Sequence, residues 1–117
     1  MKIGRVINIT KKLVIAEYAW IADTFYLRAR GLIGRLPLRQ TEAMVIKPCS
    51  AVHSLGMSYP IDVAYVNGDG EICHMLKPLQ PNRLGPFVRG ARFVIELPAG
   101  SLERLGVSIG DVLEVRC

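Results

Sequence analysis

The side chains best suited to chemistry in this sequence cluster between residues 49 and 62. They are a cysteine, a histidine, a serine and an aspartate: Cys49, His53, Ser54 and Asp62. An imidazole and a carboxylate within reach of each other shift each other's pKa and can hold a polar ligand. Asp62 lies between two apolar strand residues, so we expect it to point away from their core, toward water or a polar cleft. The pattern predicts either a binding cleft that contains His53, Ser54 and Asp62 or a structural network that fixes the turn before the strand.

Glu96 is the remaining candidate for the cleft. It interrupts an apolar run, on the side of a predicted strand opposite Phe93 and Leu97. A charged residue in this position either faces solvent or is a buried acid paired with an arginine, for which Arg28 and Arg83 are available. Either arginine could also hold a carboxylate or a phosphate through two parallel hydrogen bonds. The predicted binding residues are therefore His53, Ser54, Asp62 and Glu96.

A hydrolase-type enzyme is the main alternative to a binding protein. In such an enzyme, His53 and Asp62 would be the base and its orienting group, and Ser54 or Cys49 would be the nucleophile. A Cys49–His53 pair is disfavoured, because residues four apart on a strand lie about 13 Å from each other. No catalytic motif is complete. We therefore expect a small non-catalytic binding module for a small polar ligand or a peptide segment.

The metal-binding residue types do not form a recognisable site. Cys49, His53, Cys73 and His74 suit zinc, but the sequence lacks the paired spacing that holds a tetrahedral ion. Cys73 and His74 are adjacent and would point to opposite faces of a strand. We therefore predict neither a metal nor another cofactor.

The composition is typical of one compact domain of the reducing cytoplasm. The chain has 117 residues, 50% of them hydrophobic, and three cysteines without paired spacing. Small secreted domains instead use even, dense sets of cysteines. Glu17 interrupts the first apolar run, and no run approaches the roughly 18 residues that suggest a membrane span. We predict a single cytoplasmic domain over residues 1–117 without membrane association, and the sequence does not indicate its oligomeric state.

Basic residues outnumber acidic ones, which gives a net charge of +5 and a pI near 9.4. Four arginines lie within and just after a predicted helix: Arg28, Arg30, Arg35 and Arg39. They could bind the phosphates of nucleic acid, and such binding would weaken with salt. Because they are distributed around the helix rather than along one stripe, nucleic-acid association ranks last of the three functions.

The turn and helix signals are local and clear. One helix begins at Asp23 or Thr24 and spans at most about three turns. Its spacing turns Phe25, Ala29 and Leu32 toward a core. A single helical turn is predicted over residues 101–105. Residues 67–70, with the sequence Asn-Gly-Asp-Gly, predict a tight β-hairpin because these residue types tolerate positive φ.

The strand pattern predicts a mostly β fold. About seven short strands are expected, with a loop at residues 77–90; the strands lie over residues 2–9, 13–18, 43–47, 61–66, 71–76, 92–97 and 112–116. Strands do not alternate with long helices, which excludes a doubly wound parallel sheet. We expect a β-rich α+β fold, either a sandwich or a distorted barrel with one short helix packed on it.

Three blocks of residues within 22–115 carry a family resemblance. The first contains Ala22-Asp23-Thr24, residues 28–35 and Leu38; the second contains Cys49, residues 53–57 and residues 60–63; the third contains Ala91, residues 94–100, Gly106 and Gly110-Asp111. In order and spacing they resemble DUF192, a bacterial and archaeal family of unknown function. The resemblance implies a mostly β, jelly-roll-like sandwich or barrel with the helix packed against it. It implies no activity.

Overall fold

The structure, a computed structural model, describes residues 1–117 and contains seven strands and two short helices. The strands are β1 (Lys2–Asn8), β2 (Leu13–Ala22), β3 (Glu42–Ile46), β4 (Ile61–Asn67), β5 (Ile72–Leu79), β6 (Ala91–Pro98) and β7 (Leu113–Arg116). The helices are α1 (Phe25–Arg30) and α2 (Ser101–Arg104). Every predicted element is present, and the largest extensions beyond the predicted bounds are at the ends of β2 and β5.

All seven strands belong to one curled sheet in the order β5-β4-β6-β3-β2-β1-β7. β2 and β3, which α1 connects, are parallel, and every other neighbouring pair is antiparallel. The two ends of the sheet come back together, because Glu71 forms a bridge with Val112 and the Ile72 amide donates to the Asp111 carbonyl at 2.9 Å. The mostly β fold is confirmed. Its form is a half-barrel, so the predicted distorted barrel is found rather than a two-sheet sandwich.

The hairpin between β4 and β5 forms where the sequence predicted it. The Asn67 side-chain oxygen accepts hydrogen bonds from the Asp69 and Glu71 amides, each at 3.0 Å. Gly70 has a φ of 81°, a conformation that is cheap for glycine and costly for most other residues. The turn therefore sets the register of the two strands through groups that lie within four residues of Asn67.

Both faces of the central strands are buried, in two separate apolar cores. One core, on what we call the Ile95 face, includes Ile21, Val45 and Leu102. The other, on what we call the Glu96 face, includes Met44, Val63 and Tyr65 together with Leu32 and Met57 from the covering segments. As a result, all six residues from 61 to 66 are buried. Successive side chains along these strands therefore point alternately into one core and into the other, and not alternately into a core and into solvent.

The predicted core stripe of the first helix is wrong. Phe25 is 80% exposed, and none of the residues of α1 is fully buried. Thr24 caps the helix as predicted, since its hydroxyl oxygen accepts from the Leu27 amide at 3.2 Å. The helix ends at Gly31, whose φ is 50°. Leu32 is buried but lies beyond this turn, so the helical spacing that grouped it with Phe25 does not apply.

The predicted loop at residues 77–90 begins later than expected, because β5 continues to Leu79 through Pro78. β5 is the first strand in the sheet order, and an edge strand tolerates proline because one side of it needs no ladder hydrogen bond. Neither helix could cross a membrane, since the longer has only six residues.

Candidate functional site

A small cavity of about 40 Å³ lies over the Glu96 face of the sheet, beside the end of α1. Six of its eleven lining residues are hydrophobic, and the others include two arginines, a histidine and a glutamate. The residues used below are Arg28, Arg30, Gly31, His53, Met57 and Glu96. The cavity is therefore a largely apolar recess with a few ionisable groups, which is the usual composition of a ligand site.

Glu96 lies in the middle of β6, between Met44 of β3 and Val63 of β4. Its exposed fraction is 2%, and its Oε1 atom has no hydrogen-bond partner. Burial raises the pKa of Glu96 from 4.5 to about 8, because a low-dielectric environment disfavours the charged form. The carboxyl group is thus held largely protonated at neutral pH.

This arrangement corrects both expectations for Glu96. It is not exposed, and neither Arg28 nor Arg83 forms an ion pair with it. Arg28 does line the cavity, whereas Arg83 is exposed and contributes backbone groups to a loop contact. The expectation failed because segments distant in sequence cover the Glu96 face.

Gly31 lies beside the Glu96 carboxyl group, at the turn that ends α1. A Cβ atom at Gly31 would lie 3.9 Å from Glu96 Oε1 and 3.7 Å from the Ile46 Cδ1 atom. The positive φ of 50° makes any side chain there strained. Glycine is therefore favoured by the backbone conformation of the turn and not by lack of space, since both distances are ordinary van der Waals contacts.

His53 is the second predicted residue at this cavity. It is half-buried, and its Nδ1 atom accepts a hydrogen bond from the Leu55 amide at 3.2 Å. A neutral imidazole with Nδ1 as acceptor carries its proton on Nε2, which makes Nε2 a donor. The structure therefore brings His53 and Glu96 to one cavity, where the two side chains together offer a hydrogen-bond donor and an acceptor.

Asp62 lies on the opposite face of the sheet from this cavity. It is paired with Leu97, on the Ile95 face, and is 1% exposed. Its Oδ2 atom accepts from the Leu102 amide at 2.9 Å, in the first turn of α2. It faces neither water nor a cleft shared with His53, because both faces of β4 are covered.

Ser54 is buried away from the cavity, where it joins two loops. Its hydroxyl donates to the Gln80 carbonyl at 2.5 Å and accepts from the Arg83 amide at 3.0 Å. These contacts are structural, but they do not involve Asp62, which the predicted network placed at the turn before β4. They fix the loop that carries His53 against the loop that follows β5.

The thiol of Cys49 is half-buried and donates to the Ala51 carbonyl at 2.8 Å. Burial raises the pKa of Cys49, and the nearby Glu96 carboxyl group adds to this shift. A raised pKa reduces the thiolate fraction on which nucleophilic attack depends. No hydrogen bond joins His53 to Cys49, Ser54 or Asp62.

The other two residues of the metal set interact with Tyr65. The Cys73 thiol donates to the Tyr65 carbonyl at 3.5 Å, and the His74 ring packs edge-on against the Tyr65 ring at a centroid distance of 5.4 Å. No group of three or more histidine, cysteine or acidic residues lies close enough together to ligate a metal.

Replacing Asp62 with alanine is expected to lower the free energy of unfolding by about 2 kcal/mol, because the Leu102 amide loses its acceptor. The Asp62→Asn variant keeps an acceptor oxygen and should lose less. Urea denaturation of both variants measures the difference. Since Asp62 and the cavity lie on opposite faces, the amide NMR signals of Gly31 and His53 should be unchanged in folded Asp62→Asn protein, and shifted signals there would contradict the separation.

The model of DUF192, described as "Uncharacterized ACR", matches residues 6–115, so the chain belongs to this family. The match begins earlier than the 22–115 region that carried the resemblance, and it includes the last three residues of β1 and all of β2.

Archaeal relatives and a bacterial structure are similar along most of the chain. A UPF0127 protein of Pyrococcus furiosus is 35% identical over 112 residues, which cover 92% of this chain and 95% of the relative. A UPF0127 protein of Thermococcus sibiricus is 33% identical, covering 92% of this chain and 72% of the relative. The crystal structure of a protein of unknown function from Novosphingobium aromaticivorans matches with a TM-score of 0.82 at 23% identity, covering 96% of this chain and 83% of that one. This last likeness concerns the fold alone.

Proposed function

We propose that this protein is a small non-catalytic binding module that holds a polar ligand, or the polar side chain of a peptide segment, against Glu96. The single observation that carries the proposal is the buried Glu96 Oε1 atom, which has no hydrogen-bond partner and lies at a cavity. An unpaired buried polar group costs about 1–3 kcal/mol. A ligand that supplies the missing hydrogen bond would recover part of that cost.

The size of the cavity limits what can enter it. A water molecule needs roughly 10–15 Å³ of such space, so a cavity of about 40 Å³ admits only the tip of a ligand, a few atoms long. The apolar lining, which includes Met57, favours an aliphatic stem behind a polar tip. Amide, hydroxyl and amine groups satisfy these limits.

The charged residues around the cavity further limit the chemical class of the proposed ligand. Arg28 and Arg30 both line it, and no acidic side chain pairs with either. Guanidinium groups bind carboxylates and carbonyl oxygens well. The proposed ligand therefore combines a donor for Glu96 with an acceptor or a negative charge elsewhere, as an amino-acid amide or an exposed peptide end does.

Small probes test the site directly. Acetamide, ethanolamine and glycine are titrated into isotope-labelled protein, and the amide NMR signals of Gly31 and His53 are followed. We expect saturable shifts of these signals with at least one probe, with roughly millimolar dissociation constants because such probes have few atoms.

The Glu96→Leu variant provides the decisive comparison. Replacing a buried acid with an apolar residue of similar size is often neutral or stabilising, so the variant should fold while losing the probe shifts. Glu103→Gln, an exposed change on α2, is the matched control and should retain them. Shifts that persist in Glu96→Leu, or wild-type protein that responds to no probe, would refute the proposal.

We also infer a cytoplasmic location. Its support is that Cys49, Cys73 and Cys117 are all free thiols, which is the usual state in a reducing compartment. Fractionation of cells that express the tagged chain would test this, and recovery in a secreted fraction would argue against it.

A further inference from the structure

A second, wider groove lies next to the Glu96 cavity, with which it shares Arg30. Its volume is about 470 Å³, and three arginines and a tryptophan contribute to its lining: Arg30, Arg35, Arg39 and Trp20. Arg30 also lines the Glu96 cavity. The groove is open, polar and independent of the buried acid.

The three arginines converge because the chain turns sharply after α1. Gly31 and Gly34 have positive φ values of 50° and 74°, so residues beyond the helix do not continue its spiral. The Arg30 Nε atom donates to the Ile33 carbonyl at 3.4 Å, and the Arg35 Nε atom donates to the Gly31 carbonyl at 3.3 Å. These contacts orient two guanidinium groups through one nitrogen each. Neither group forms an ion pair with a carboxylate.

No acidic side chain neutralises the groove arginines. The basic residues that form ion pairs in the protein are Arg5, Lys11 and Arg116. Glu42 lies at the groove, but its Oε1 atom accepts from the Arg39 backbone amide at 2.7 Å rather than from a guanidinium group. An excess of positive charge therefore remains for an anion.

Trp20 supplies an aromatic surface beside these charges. It is half-buried, packs against the core on the Glu96 face and lines the groove. A supported indole ring next to unpaired guanidinium groups is the combination that binds a stacked base and its phosphate. A simple anion site would need no aromatic ring.

We propose that this groove binds a nucleobase that carries phosphate, with the base on Trp20 and the phosphates on Arg30, Arg35 and Arg39. The ligand is either a free nucleotide or a segment of single-stranded nucleic acid, which share this chemistry. This proposal does not rest on the proposed Glu96 ligand, although Arg30 lines both sites. Three of the four arginines that lie within and after the predicted helix thus line one groove, because the chain turns at Gly31 and Gly34.

Trp20 is the only tryptophan of the chain, so its fluorescence reports on the groove alone. Thymidine monophosphate and an oligothymidylate of about eight nucleotides are titrated into the full-length protein at low salt. We expect saturable quenching. If both probes quench at comparable concentrations the ligand is a free nucleotide, and if only the oligonucleotide quenches it is single-stranded nucleic acid. With three phosphate contacts, a tenfold rise in salt should weaken oligonucleotide binding by about a hundredfold.

The Arg39→Glu variant tests the contribution of the positive charge. The Arg39 side chain donates no hydrogen bond within the protein, so its replacement should not disturb the fold. We expect binding about tenfold weaker or worse, the equivalent of one charge-assisted hydrogen bond. Arg104→Glu, an exposed change on α2, is the matched control and should bind as wild type. Absence of quenching with both probes at low salt, or equal binding by Arg39→Glu and wild type, would overturn the proposal.

Discussion

Raising the pH from 4.5 to 8 is expected to lower the free energy of unfolding of the protein by on the order of 5 kcal/mol, through the buried carboxyl group of Glu96. Burial raises the pKa of Glu96 from 4.5 to about 8. Across that interval the folded protein keeps a proton on Glu96, whereas the unfolded chain releases it. Each pH unit therefore favours the unfolded chain by about 1.4 kcal/mol.

The direction of this effect follows from the raised pKa. The stability associated with protonated Glu96 is fully present below pH 4.5 and is lost as the pH rises through about 8. Domains of ordinary stability unfold at a cost of roughly 5–15 kcal/mol. The loss is therefore large enough to make the protein marginal in alkaline solution unless a ligand compensates.

Urea denaturation of wild-type and Glu96→Gln protein, at pH values from below 4.5 to above 8, measures the effect. Glutamine cannot ionise, so the stability difference between the two proteins isolates Glu96 from every other titrating group. As the pH rises from 4.5 to 8, we expect Glu96→Gln to become more stable relative to wild type by on the order of 5 kcal/mol. The exposed control Glu103→Gln should follow the wild-type curve, and parallel curves for wild type and Glu96→Gln would contradict the raised pKa.

Replacing Asp111 with alanine is expected to cost about 3 kcal/mol of unfolding free energy. The buried Oδ2 atom of Asp111 accepts from the Asn8 side chain at 2.9 Å and from the Ser108 amide at 3.0 Å. It also lies 3.1 Å from the Lys11 Nζ atom. Without the carboxylate, the fully buried Asn8 amide group is left as an unpaired donor, which accounts for the largest part of the loss.

A double-mutant cycle with Asn8→Ala tests this account by chemical denaturation. Because the two side chains share one hydrogen bond, the double variant should be more stable than the sum of the single losses predicts, by about 1 kcal/mol or more. The exposed Glu103→Ala change should have little effect and serves as the control. Strict additivity of Asn8→Ala and Asp111→Ala would show that the two groups are not coupled.

The pH dependence of Asp111 has the opposite sign to that of Glu96. Burial works to raise the pKa of Asp111, but hydrogen bonds from Asn8 and Ser108 and the Lys11 ammonium group outweigh it, and the net pKa is lowered. A lowered folded pKa gives stability that is present above the unfolded value and is lost as the pH falls through the folded one. The loss measured for Asp111→Ala should accordingly shrink in acid.

Local signals in the sequence predicted most of the architecture. The hairpin at Asn67 and Gly70 and the cap at Thr24 depend on groups within a few residues of each other, so their chemistry is visible in the sequence. The strands were found because alternation and β-branched residues are properties of short windows. The stripe through Phe25 failed, because the φ of Gly31 ended the helix before Leu32.

The candidate site depended on contacts between distant segments. Of the four predicted binding residues, His53 and Glu96 reach one cavity, whereas Ser54 and Asp62 bond to backbone groups elsewhere. The alternation that aimed Asp62 away from one core was correct, but a second core covers the other face of β4. A sequence window cannot register that second core, because it includes residues far along the chain, such as Leu102 of α2 and Val107.

By itself, the sequence determined the strands, the turns and the mostly β class, because these follow from backbone preferences and from the two-residue alternation of side chains. Only the tertiary structure decided that the carboxyl group of Glu96 is desolvated beneath Gly31 and that three arginines meet beside Trp20. Burial and convergence are properties of the space between elements. They arise when the sheet curls and separate segments close over its Glu96 face.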